Sequence, residues 1–167
     1  TNTLMGLGGV SGLHNNFIGM LGMHGSLEAN KAMANADVIL ALGARFDDRV
    51  TNNVKKFCPD ATIVHVDIDP TSISKTINAD IPVVGLLDIV IKQLLAELEE
   101  KQFSVNKEEN QIWWQQIAQW RAVNSVSYQQ TDDVIKPQRV IESMYQATQG
   151  DAYVCSDVGQ HQMFAAQ

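Results

Sequence analysis

Three short apolar runs, DVILALG at 37–43, ATIVHVDI at 61–68 and ADIPVVG at 79–85, do most to limit what this chain can fold into. The first is continuously apolar instead of alternating, which reads as a strand covered on both faces. The second is stopped by Asp69-Pro70. The third is weaker, because Pro82 cannot donate to a ladder and suits an edge or a strand start. Helical patterns lie between and around these runs. Ser26 is placed as an N-cap, with Glu28 in the first turn, for an Ala-rich helix over 27–36. Leu87, Val90, Ile91, Leu94, Leu95 and Leu98 recur at helical spacing within 86–100, with Asp88, Lys92, Glu97 and Glu99 on the other side. Strands alternating with helices predict the α/β class: a Rossmann-like parallel sheet with helices on both faces.

The rest of the chain is organised around this unit. Seven glycines make the first 25 residues a loop region holding the apolar patch FIGML. The charged stretch EEKQFSVNKEEN at 99–110 reads as an exposed linker, and YQQTDDVIK at 128–136 as a second one. Between them Trp113, Ile117 and Trp120 form one stripe of an amphipathic helix that packs on the first unit and carries no functional weight. Pro137 occupies a first helical position, Val140, Ile141, Met144 and Tyr145 form that helix's apolar face, and Gly150 ends it. AYVCSD at 152–157 reads as a fourth strand leading into VGQHQMF. Cys58 and Cys155 lack metal-like spacing and read as reduced thiols of a cytosolic protein. Neither a signal peptide nor a long apolar span is recognisable. There is no initiating Met, TNTLMGLGG begins as if a strand had just ended, and HQMFAAQ stops inside a helix; the expectation is a piece of a longer chain.

A net charge of −7, from 12 basic and 19 acidic residues, argues against nucleic acid or an anionic membrane as partner. Residues 1–60 are nevertheless neutral, with Lys31, Arg45, Arg49, Lys55 and Lys56 balancing Glu28, Asp37, Asp47, Asp48 and Asp60. A local anion site there is compatible with the global charge. In parallel sheets ligands bind beyond the carboxyl ends of the strands. Gly43, Arg45, Asp47 and Arg49 follow the first strand, Asp67 ends the second and Gly85 the third. A helix starting near Ser26 points free N–H groups at that edge, and Gly25 allows close approach to the backbone. Two arginines suit a phosphate or carboxylate, and Asp67 stands where nucleotide folds place an acid for ribose hydroxyls. Together these suggest a nucleotide with a pyrophosphate. The alternative is that Arg45 and Arg49 pair with Asp47 and Asp48 as a solvated surface network of little worth. Spacing alone does not decide between them, and a strict GxGxxG after a strand is missing. His24 reads as a ligand contact or a satisfied loop histidine, and Met20 and Met23 as the wall of a flat aromatic ligand or as core filler.

The stretches GMLGMHGSLEANKAMANADVILALGARFDDRVT, HVDIDPTSISK, ADIPVVG and SDVGQHQMFAAQ closely resemble the catalytic large subunit of the acetohydroxyacid synthase (acetolactate synthase) family. The resemblance runs essentially end to end and is looser through 86–135. It implies three parts: residues 1–100 as most of a central FAD-binding domain lacking its first strand, 101–135 as a linker with a helix, and 136–167 as the start of a thiamine-diphosphate domain. Carried over residue by residue, it implies that Thr3 and Leu4 contact the flavin side. Leu21, Gly22, Met23, His24, Gly43, Ala44, Arg45, Asp47, Arg49 and Val50 would line the FAD. Asp67, Ile68 and Gly85 would hold the adenosine end, and Val158, Gly159, Gln160 and His161 would grip thiamine diphosphate. Asp48 and Arg49 would flank the substrate channel, with Arg49 on the second substrate's carboxylate. Two departures stand out: Leu86 follows Gly85 where many relatives have Asp, and Phe164 replaces a common Trp. The implied reaction decarboxylates pyruvate and joins the product to a second 2-oxo acid, pyruvate or 2-oxobutyrate, in branched-chain amino-acid synthesis. The activating glutamate and the Mg2+ ligands of the family lie outside this chain, so the resemblance implies no activity for the chain alone. It also implies a homodimer or tetramer, a small regulatory subunit, and a cytoplasmic location in bacteria or a plastid or mitochondrial one in eukaryotes.

Overall fold

The computed structural model describes residues 1–167. Its centre is a parallel three-stranded sheet in the order β1 (Val38–Leu42), β2 (Thr62–Asp67), β3 (Ile81–Val84), with helices on both sides. Register sets Ile39 beside Ile63 and Ala41 beside His65, while Leu40 and Leu42 stand beside Val64 and Val66. Ala41, Ile63, Phe46 and Ile77 form the buried cluster, with Ile39, Ala44 and Phe57 packed around it. Pro82 sits on edge strand β3, where its missing N–H is harmless.

β1 departs from expectation. Its run of apolar residues predicted cover on both faces, but Val38, Leu40 and Leu42 remain 54, 44 and 41% exposed. β1 is an edge strand, and only the Ile39/Ala41 side meets the buried cluster. The expected fourth strand is also absent: residues 152–157 form no ladder, and Tyr153 and Val154 face solvent. A strand needs a hydrogen-bonded neighbour, and neither edge of the sheet reaches this segment.

α1 (Leu27–Ala34) starts where Ser26 caps it, the side-chain oxygen accepting the Ala29 N–H at 3.3 Å. It ends two residues before the sequence pattern suggested. The short α2 (Asp48–Thr51) follows β1, and α3 (Leu87–Glu100) follows β3 and packs on β2. α4 (Lys107–Ala122) is capped by Asn106, which accepts the Glu108 and Glu109 N–H groups. The stretch expected as linker from 99 to 110 is therefore shorter, because its acidic ends belong to α3 and to the first turn of α4. α4 lies on α1, with Ile117 and Ala29 fully buried and Trp113 edge-on to Trp120 at 5.7 Å. α5 (Pro137–Thr148) begins at its proline and stops at Gln149 and Gly150, both at positive φ. α6 (Gln160–Ala166) packs on α5. No helix is long and apolar enough to cross a membrane.

The two cysteines differ in environment. Cys58 is buried, its Sγ–H donating to the Met33 carbonyl, and burial pushes its thiol up from 9.0 to about 11. Cys155 is exposed. A thiol-specific alkylating reagent near neutral pH is expected to modify Cys155 quickly and spare Cys58 in the folded protein, as read by peptide mass spectrometry. Equal rates would contradict the burial. Because the folded Cys58 value is raised, its contribution to stability is complete below about pH 9 and is lost as pH rises through about 11.

Candidate functional site

The glycine-rich segment is tied down by backbone pairing. Asn2 and Met20 form a parallel bridge, and the Met20 carbonyl accepts the Ser26 N–H at 2.9 Å. Asn30 of α1 clamps Gly22 at both ends: its Oδ1 accepts the Gly22 N–H at 2.8 Å and its Nδ2 donates to the Gly22 carbonyl at 2.9 Å. The Met23 N–H then donates to the Arg49 carbonyl at 2.7 Å, laying the GMHG loop on α2. Gly22 has φ 101°, and a Cβ there would sit 2.6 Å from that carbonyl. Glycine is required on both counts.

Beyond β1, Gly43 and Phe46 both adopt positive φ, 65° and 52°. The turn tucks the Phe46 ring into the core, edge-on to His65 at 5.0 Å and to Phe57 at 5.8 Å. Ala44, Arg45 and Asp47 are left on the rim. Thr51, buried, donates its hydroxyl to the Asp47 carbonyl at 3.1 Å and closes α2.

These segments enclose a cavity of about 470 Å³. Its walls include Thr3, Leu4, Leu21, Met23, His24, Gly43, Ala44, Arg45, Asp47, Arg49 and Val50, eleven of the positions that the sequence assigned to one extended ligand, together with Val158 from the segment assigned to a second. Gly22 stands behind the wall, where its contact with α2 fixes the loop. Asp48, Gly159, Gln160 and His161 do not line the cavity, and neither do Asp67, Ile68 and Gly85. Met5, Met20, Phe46, Gln162 and Met163 line it as well. Sequence reasoning raised Met20 without assigning it and missed the other four. The usable signal was closeness in the chain: Gln162 and Met163 lie in α6, a few residues past the assigned Val158.

The arginines do what the alternative reading described, and more. Arg45 pairs with Asp47 at 3.3 Å and Arg49 with Asp48 at 3.4 Å, with side chains 75 and 68% exposed. Such pairs contribute little to stability. Both arginines also line the cavity. Asp47 Oδ1 is buried with no hydrogen-bond partner, a polar atom left over at the cavity wall.

Under the rim, Asp67 is nearly buried. Its Oδ1 accepts the Asp69 N–H at 2.9 Å, and its Oδ2 lies 4.0 Å from His65 Nε2. His65 is fully buried, and neither of its nitrogens has a partner. Gly85 donates its N–H to the Asp67 carbonyl at 3.0 Å, so the ends of β2 and β3 are joined there, while Ile68 stands exposed beside them. Asp69 accepts from the Thr71 hydroxyl and N–H, and these bonds hold its carboxyl below the usual range. No group of three or more His, Cys, Asp or Glu side chains is arranged to hold a metal ion.

A parallel sheet with its glycine-rich loop and strand-end cavity defines an α/β domain, and residues 1–94 match the family model described as thiamine pyrophosphate enzyme, central domain. The chain belongs to that family. Among curated proteins it is 57% identical over 164 residues to the acetolactate synthase isozyme 3 large subunit of Escherichia coli, covering 98% of this chain and 29% of that protein. It is 53% identical over 167 residues to the acetolactate synthase large subunit of Buchnera aphidicola subsp. Schizaphis graminum, covering 99% of this chain and 28% of that one. The large subunit of Cyanidium caldarium is 40% identical over 167 residues, again 28% of its length. The chain thus spans under a third of the relatives it matches.

Proposed function

We propose that this chain is the FAD-holding part of an acetolactate synthase catalytic subunit, together with the first residues of its thiamine-diphosphate site. The observation that carries this reading is the cavity on which GMHG, GARFDDRVT and the start of α6 converge. Its lining fits a flavin dinucleotide. Methionines and Phe46 supply an apolar wall for a flat ring, Gly43 leaves open space where a side chain would project, and Arg45 and Arg49 in the lining suit a diphosphate. Asp67, held by the Asp69 N–H beyond the cavity, takes the adenosine end, with Ile68 and Gly85 beside it. Thr3, Leu4, Leu21, Gly22, His24, Ala44, Asp47 and Val50 shape the remaining wall.

The second group fits at α6. Gly159 precedes the helix, and a Cβ there would lie 2.8 Å from the His161 ring, so glycine lets that ring fold back over the turn. Free N–H groups of the first turn, with Gln160 and His161 beside Val158, bind a diphosphate. When bound, thiamine diphosphate supplies the nucleophilic carbon and electron sink for decarboxylating a 2-oxo acid. This chain's own residues orient and neutralise: Arg49, beside Asp48, holds the carboxylate of the second 2-oxo acid, pyruvate or 2-oxobutyrate. Mg2+ would be held by residues outside this chain. The whole enzyme would work as a homodimer or tetramer with a small regulatory subunit, in the bacterial cytoplasm or in an organelle.

A flavin-binding titration, followed by quenching of flavin fluorescence, tests the reading. Arg45→Ala and Arg49→Ala are each expected to weaken FAD by about tenfold, the size of one lost charge-assisted contact. Equal affinity in both variants and the unaltered protein would remove the arginines from the cofactor site.

A further inference from the structure

Four of the chain's six methionines, Met5, Met20, Met23 and Met163, line the one cavity described above. They are not equally sheltered. Met20 is 5% exposed, whereas Met5 and Met23 are 88 and 49% exposed. A thioether suits the face of a conjugated ring because it is polarisable and apolar. It is also the side chain that peroxide changes most simply: sulfur takes one oxygen atom from hydrogen peroxide, giving a sulfoxide and releasing water. The sulfoxide is strongly polar, and against a flat apolar ring it has no donor to satisfy it. Two backbone donors beside Met23 are already in use, since the Met23 N–H is bonded to the Arg49 carbonyl and the Gly22 N–H to Asn30.

We propose that Met5 and Met23 are an oxidation site that controls occupancy of this cavity: their sulfoxides exclude the flat-ring ligand, and the bound ligand in turn shields them. The inference rests on the FAD reading above. Met144 serves as an internal reference, because it is 47% exposed on α5, outside the cavity. Solvent access alone would therefore oxidise Met23 and Met144 alike.

The experiment treats the purified protein with graded hydrogen peroxide, with and without saturating FAD, and follows each methionine by peptide mass spectrometry. FAD affinity is titrated before and after treatment. FAD is expected to slow oxidation of Met5 and Met23 several-fold while leaving Met144 unchanged. Full oxidation is expected to weaken FAD by about tenfold or more. In Met5→Leu/Met23→Leu that peroxide-dependent loss disappears, whatever the variant's own starting affinity; in Met144→Leu it persists. Unchanged FAD affinity after complete oxidation of Met5 and Met23, or equal shielding of Met144, overturns the proposal and leaves the cofactor reading standing. No FAD binding by untreated protein overturns both.

Discussion

Gly22→Ala is expected to lower unfolding stability by about 3 kcal/mol, combining a left-handed backbone strain of about 1–3 kcal/mol with the loss of hydrogen bonds worth about 1 kcal/mol each. The new Cβ would press on the Arg49 carbonyl at 2.6 Å, where the Met23 N–H bonds, and the Asn30 clamp would have to open. Gly25→Ala is expected to act similarly, because its Cβ would stand 2.4 Å from the Met20 carbonyl and 2.6 Å from the Leu21 carbonyl carbon. Both clashes are with backbone, which cannot swing aside as a side chain does. Gly12→Ala is the control: its Cβ would meet nothing within 4 Å, and a change within about 0.5 kcal/mol is expected. Denaturant midpoints measure all three. If Gly22→Ala matches Gly12→Ala, the loop is not pinned to α2 as described. Since domains are stable by only about 5–15 kcal/mol, such a loss is severe.

The second large effect concerns Ile117. It is fully buried where α4 crosses α1, and Ile117→Ala is expected to cost about 2–5 kcal/mol through lost burial and the cavity left behind. Ile112, on the same helix and 67% exposed, should tolerate alanine with a change within about 0.5 kcal/mol. The diagnostic is a fall in denaturant midpoint for Ile117→Ala with little change in slope. Similar midpoints for the two variants would mean that α4 is not anchored to α1. Tryptophan emission should report the same step, because Trp113 and Trp120 flank Ile117 on one stripe.

What the sequence made legible was local. Ser26 as a cap, Pro137 at a helix start and Pro82 on an edge strand are each fixed by the chemistry of one residue against its own backbone, and the structure has all three. What misled were features whose meaning depends on neighbours distant in the chain. An apolar run such as VILAL states that cover is compatible with both faces, not that it is present, and β1 is covered on one. AYVCSD has strand composition, but a strand is a relation between two segments, and no second segment lies beside it. At the site, the motif residues around GMHG and GARFDDR converge because they belong to two adjacent loops. Met5 and Met163 stand on the same wall only because the tertiary fold brings the two ends of the chain together.

The bare side of β1 has a consequence for the protein in bulk. Val38, Leu40 and Leu42 lie along a rim whose peptide groups on one flank have no partner strand, an arrangement that invites edge-to-edge stacking of copies. The surplus of seven negative charges holds copies apart. That protection is colloidal and fades as added ions shorten its range or as acidification neutralises it. Dilute, low-salt, mildly alkaline buffer is therefore expected to keep copies apart best.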